Sequence, residues 1–112
     1  MLNHVVLIGR LAGDPELRYT PSGHAVANFT LAVEQRVKNE DGSRSCDFID
    51  CVAWRGAAEF LSNYTSKGRM LAVAGRLQVR KWTTQDGSHR KAVEVVAEEV
   101  KALDRKREET EQ

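Results

Sequence analysis

Apolar and polar residues alternate with a period of two along most of this chain, and the rhythm changes in one place. Residues 5–8 (Val5, Val6, Leu7, Ile8) are apolar at every position, which predicts a strand covered on both faces. Across residues 25–33, Ala25, Ala27, Phe29, Leu31 and Val33 share one face while Asn28 and Thr30 lie on the other. A third strand is predicted over residues 46–54. After Trp54, Ala57, Phe60, Leu61 and Tyr64 recur at helical spacing, and Gly68 following Lys67 suits the end of that helix. Residues 70–82 predict a fourth strand, with Leu71, Val73, Leu77 and Val79 on the core side and Arg76, Gln78, Arg80 and Trp82 opposite. Residues 90–100 predict a fifth.

The breaks between these runs have their own chemistry. Gly9, Gly13 and Asp14-Pro15 are expected to end the first strand, and residues 19–23 to form a second turn. Asp41-Gly42 and Asp86-Gly87 mark hairpin loops. Three strands, a helix and two strands is the order of an all-β, five-stranded Greek-key barrel of the OB type, with its helix between strands 3 and 4. In that architecture the face of strands 2 and 3, with the loops after strands 1 and 4, is the usual oligonucleotide platform. The domain is expected to span residues 1–104, followed at 105–112 by a short charged tail without apolar residues, expected to be disordered.

A chain of 112 residues is long enough for one domain with its own core. The net charge of +1 does not argue for an anionic partner, but its distribution does: residues 67–91 hold seven Lys or Arg against one acid, Asp86. Cys46 and Cys51 are five residues apart on one predicted strand, point to opposite faces and cannot bridge within it. No basic segment followed by a long apolar run opens the chain and no apolar run reaches membrane-spanning length, so a cytoplasmic protein is expected. His4, His24 and His89 are scattered, with no HExxH, CxxC, P-loop or nucleophile-elbow pattern. No catalytic residue, metal site or cofactor is expected.

The aromatics divide by parity. Phe29, Phe60 and Tyr64 fall on predicted core faces. Phe48 and Trp54 share a face of the third strand with Asp50 and Val52, and six residues at ~3.3 Å each put the two rings ~20 Å apart. Trp82 stands where the fourth strand runs into its loop, beside Arg80 and Lys81, and Tyr19 precedes Pro21. Phe48, Trp54, Trp82 and Tyr19 are the candidate stacking platforms for bases. Arg10, Arg36, Lys38, Arg55, Arg76, Arg80, Lys81 and Arg90 are the candidate phosphate contacts. A ring stacks any base for ~1–3 kcal/mol, so rings in a basic groove bind a single strand without reading its sequence.

With the elements placed, an ordered set of short motifs stands out over residues 3–103. It comprises Gly9-Arg10-Leu11, Asp14-Pro15-Glu16-Leu17-Arg18-Tyr19, Ser22-Gly23, Val26-Ala27-Asn28-Phe29-Thr30-Leu31-Ala32, Lys67-Gly68, Gly75-Arg76-Leu77, Arg80-Lys81-Trp82 and Glu94-Val95-Val96. In this the chain resembles the bacterial single-stranded DNA-binding protein family. The resemblance implies a homotetramer of OB domains wrapped by single-stranded DNA, associated with the nucleoid and protecting exposed strands in replication, recombination and repair. It matches Phe48, Trp54 and Trp82 to stacking aromatics, and Lys67, Arg80 and Lys81 to basic positions near the DNA. Two departures stand out. Val37 occupies a position where the family often has another tryptophan, leaving Arg36 and Lys38 to act through charge. The chain also stops at Glu111-Gln112 without an acidic, apolar-tipped tail, so tail-mediated recruitment of replication and repair proteins is not expected. An RNA-binding OB module and a replication-restart OB protein are the alternative readings, since stacking chemistry is common to them.

Overall fold

The computed structural model describes residues 1–104; the tail expected at 105–112 lies outside the described residues. The elements run β1 (Val5–Leu11), β2 (Glu16–Tyr19), β3 (Ala25–Glu34), β4 (Cys46–Trp54), α1 (Arg55–Tyr64), β5 (Met70–Thr83) and β6 (His89–Ala102). Neighbours in the sheet follow the order β1-β5-β6-β4-β3-β2, and β1 also pairs with β3, which closes a ring of five strands. The ladders are antiparallel except β4–β6, which join in parallel through Cys51↔Val95, Val52↔Val96 and Ala53↔Ala97.

No strand was expected at the short β2, most of which lies between the two predicted turns. Both β1 and β2 pair with β3, through Leu11↔Leu31 and then Glu16↔Asn28 to Tyr19↔Ala25, so together they are one long strand interrupted at residues 12–15. Pro15, which has no N–H to give a ladder, sits in the interruption. Four residues of alternation are too few to separate a strand from a loop by pattern alone.

Gly9 does not end β1. A Cβ placed on it would stand 2.5 Å from the Ala32 carbonyl oxygen, so this glycine lets β1 cross close to β3 where the ring closes. Gly75 plays the same part at the β5–β6 register shift: a Cβ there would meet the Val96 carbonyl oxygen. That shift is a bulge, and it bends the strand and raises its twist.

The core inside the ring is built from Leu11, Phe29, Leu31, Cys51, Leu71, Val73 and Val95, and α1 adds Ala58 and Leu61. Both cysteines are unbridged, Cys51 buried in this core. The helix ends earlier than expected: the Thr65 N–H bonds to the Leu61 carbonyl at 3.1 Å, and Gly68 belongs to the following turn, at φ +90. Tyr64, expected in the core, is 60% exposed and lies against Phe60 with ring centroids 5.7 Å apart. The stripe that packs inward is Ala57, Ala58 and Leu61, which leaves Tyr64 at the helix end outside.

Two further expectations fail on coverage. Val6 and Ile8 are exposed, so β1 is covered on one face only in the single chain. Leu77 and Val79, expected to pack a core, are 46% and 51% exposed. β1 pairs with β5 no further than Gly75, so from Arg76 to Thr83 β5 has β6 as its sole ladder partner among the described residues. Beyond the barrel, no layer among the described residues lies beneath the β5–β6 hairpin.

Candidate nucleic-acid interface

Residues paired across a ladder point to the same side of the sheet, so the register shows which side chains share a face. On the outward face, Trp54 stands opposite Val26, and Val26 opposite Arg18 of β2. The next row is Asn28, Val52, Val96 and Arg76, spanning four strands. Thr30 then faces Asp50, and Ala32 faces Phe48. On the hairpin the same face continues through Gln78↔Glu94, Arg80↔Ala92 and Trp82↔Arg90. Three of the predicted rings and four of the predicted cations (Phe48, Trp54, Trp82; Arg10 through Ala32, Arg76, Arg80, Arg90) therefore share one continuous outer surface.

This surface has an apolar seam. Val26, Val52 and Val96 point outward yet are buried as a cluster of their own. The rings around it are open, with Phe48 68%, Trp54 45% and Trp82 42% exposed. An exposed tryptophan or phenylalanine on a rigid strand keeps a flat face available for stacking.

An open cleft of about 490 Å³ lies on the same side, between the β1–β2 corner (Asp14, Glu16) and the hairpin (Arg80, Glu94), with Asn28 and Asp50 between them. A second of about 630 Å³ flanks Trp82, with Lys81, Arg90 and Lys91 on its wall. Cys51 borders the first cleft; burial, and then the charges of Asp50 and Glu94, push its thiol up to about 12, so it stays neutral. At the hairpin tip the Thr84 hydroxyl, the Ser88 N–H and the Ser88 hydroxyl hold Asp86 down at about 2. Among the described residues no group of His, Cys, Asp and Glu side chains is arranged to hold a metal.

The predicted cations meet different partners. Arg80 lies 4.8 Å from the centre of the Trp82 ring and 3.7 Å from Glu94. Arg76 faces Glu98 at 3.5 Å. Arg10 turns toward the Gly68 carbonyl at 2.9 Å and Asp104 at 3.4 Å, where Arg69 also holds Asp104 at 2.7 Å. Lys67 bonds through its backbone N–H to Asp14 at the β1–β2 corner. Arg36 and Lys38 are exposed in the β3–β4 loop with Val37. Arg55 is exposed at the β4–α1 corner, in the left-handed region at φ 57. Lys81 pairs with Lys91 on the opposite side of the hairpin from Arg80 and Trp82. Tyr19 is 61% exposed, but its partner Ala25 belongs to the inner core, so its parity is opposite to that of Trp54.

One member of the surface was missed. Arg18 stands in the row of Trp54 and donates Nε to the Asn28 amide oxygen at 3.3 Å. Its parity is readable once β2 is recognised as a strand, and not before.

A five-strand closed barrel with one helix among the described residues, carrying exposed rings and cations on one outer face, is the architecture of an OB-type oligonucleotide-binding module. The chain matches the single-strand binding protein family over residues 2–103, and it belongs to that family. It is 54% identical over 106 residues to a single-stranded DNA-binding protein of Oceanobacillus iheyensis, covering 95% of this chain and 66% of that protein. It is 53% identical over 106 residues to single-stranded DNA-binding protein 1 of Streptococcus pyogenes, covering 95% of this chain and 82% of that one. It is 53% identical over 106 residues to single-stranded DNA-binding protein A of Bacillus subtilis, covering 95% of this chain and 62% of that relative.

Proposed function

We propose that this chain binds single-stranded DNA without reading its sequence, by stacking bases on Phe48, Trp54 and Trp82 and pairing phosphates with Arg76, Arg80 and Arg90. Arg55, Lys67, Arg36 and Lys38 extend the basic path, and Arg10, Lys81 and Tyr19 contribute at its margins. The observation that carries this reading is the single outward face shared by the three rings and by Arg10, Arg76, Arg80 and Arg90. The protein acts as a ligand, not as an enzyme. By occupying the open strand only, it shifts duplex and hairpin equilibria toward single strands without ATP, which protects DNA in replication, recombination and repair. It works in the cytoplasm on the nucleoid as a homotetramer. Supporting the assembly, Val6 and Ile8 are large apolar side chains left open on β1, beside their ladder partners Ala74 and Ala72 of β5.

The test is a tryptophan-fluorescence titration with dT oligomers, rU oligomers and duplex DNA over a range of salt. The expected result is tight quenching by dT and weak binding of duplex. In Arg80→Ala the slope of log affinity against log salt flattens by about one unit. Equal affinity for duplex, or no response to dT, overturns the proposal; tighter binding of rU favours the RNA-binding alternative. Light scattering of the protein alone tests the tetramer.

A further inference from the structure

Arg80 is not open to solvent on all sides. Its Nε lies 3.7 Å from a Glu94 carboxylate oxygen, and its guanidinium carbon lies 4.8 Å from the centre of the Trp82 ring. Glu94 is itself held: its side chain is only 13% exposed, and the same oxygen accepts the Gln78 Nε2–H at 3.2 Å, from the residue directly opposite on β5. A carboxylate so placed moves little, so it fixes where Arg80 rests. The guanidinium then covers one face of Trp82 by a cation–π contact. In that arrangement Arg80 is already matched with a negative charge, and a face that a base would use is taken.

Resting on the single-strand-binding reading above, we infer that Glu94 is a positioning residue that holds Arg80 folded over Trp82 until a DNA strand arrives. A phosphate then replaces Glu94 as the partner of Arg80, and the guanidinium swings off the indole so that a base can stack there. The exchange couples the two contacts: phosphate pairing uncovers the ring, and base stacking disfavours the return of Arg80. An uncharged ligand that stacks but carries no phosphate does not release the arginine. Glu94 therefore lowers affinity for DNA while making the site respond to a base and a phosphate together.

The experiment is a double-mutant cycle with dT oligomers as probe, read beside acrylamide quenching of Trp82 in the DNA-free protein. Trp54→Phe is the common background, leaving Trp82 as the sole indole. Glu94→Gln keeps the shape and an acceptor for Gln78 but drops the charge. It is expected to raise Trp82 quenching and to tighten dT binding about two- to fivefold, the scale of one partly exposed ion pair. Combined with Arg80→Ala, the same change is expected to have no effect on either readout. Glu94→Asp keeps the charge but draws it out of reach, and is expected to raise Trp82 quenching as Glu94→Gln does; it also decides the matter if Glu94→Gln fails to fold. An equal gain in affinity with and without Arg80 overturns the inference, because Glu94 would then act by repelling the strand directly. Unchanged Trp82 quenching in both Glu94 variants overturns it too. Failure of the unsubstituted protein to bind dT removes the function and this exchange together, whereas an additive cycle in a protein that binds dT removes only the role of Glu94.

Discussion

Gly9 lies so close to Ala32 that a Cβ on the glycine would come within 2.5 Å of the alanine carbonyl oxygen. This contact stands beside the Arg10↔Ala32 pair that closes the five-strand ring. The obstacle is backbone, which cannot step aside as a flexible side chain does. Gly9→Ala is therefore expected to destabilise the fold by about 1–3 kcal/mol through overpacking. Urea unfolding checks it, and an unchanged midpoint would mean that β1 and β3 are not in this register.

Parity separates two kinds of aromatic residue. Trp54→Ala and Trp82→Ala should each cost ~1–3 kcal/mol of poly-dT affinity and leave thermal stability nearly unchanged. Phe29, buried in the core, should do the reverse: Phe29→Ala is expected to cost about 3–5 kcal/mol of stability. Paired binding and melting measurements on the three variants decide it. Unaltered affinity in both tryptophan variants would remove the site.

Arg55 takes the left-handed conformation at the corner where β4 turns directly into α1. A side chain there costs roughly 1–2 kcal/mol relative to the ordinary right-handed region. Glycine relieves this but gives back about 0.5–1 kcal/mol through the freedom it adds to the unfolded chain. Arg55→Gly is thus expected to stabilise the fold by about 0.5–1 kcal/mol while weakening dT binding and flattening its salt dependence. Gains in both stability and affinity would show that Arg55 does not meet the strand.

The hairpin tip should respond to acid. The Thr84 hydroxyl, the Ser88 N–H and the Ser88 hydroxyl hold Asp86 at about 2, against 3.8 for an ordinary aspartate. Because the folded value is depressed, this turn contributes its full stabilisation above pH 3.8 and loses it as pH falls through about 2. Chemical shifts of the Asp86 carboxyl and the Ser88 amide should titrate together in that window. Titration near 3.8, independent of Ser88, would contradict the turn geometry.

Alternation alone placed β3, β4 and most of β5 and β6, and set Phe48 and Trp54 on the side opposite Cys51 and Ala53. It also placed the helix between the right strands, because the period changes sharply after Trp54. It did not place β2, whose four residues carry too little pattern, nor read Gly9 as a close contact within a strand. Tyr64, assigned to the core by helical spacing, and Leu77 and Val79, assigned to it by parity, are exposed. Parity tells which neighbours share a side; it does not tell whether anything covers that side.

Coverage is a non-local property. It depends on where β1 stops pairing with β5, where β4 meets β6 for only three residues, and how far the fourteen-residue strands of the hairpin overshoot both. The sequence by itself determined every strand but β2, the helix and which side chains alternate together, since those follow from local backbone geometry. Only the tertiary structure decided that Trp82 on one hairpin and Trp54 on another strand face the same water, and that Arg80 rests between Trp82 and Glu94. Those relations are made by strand register between residues far apart in the chain, which no local period encodes.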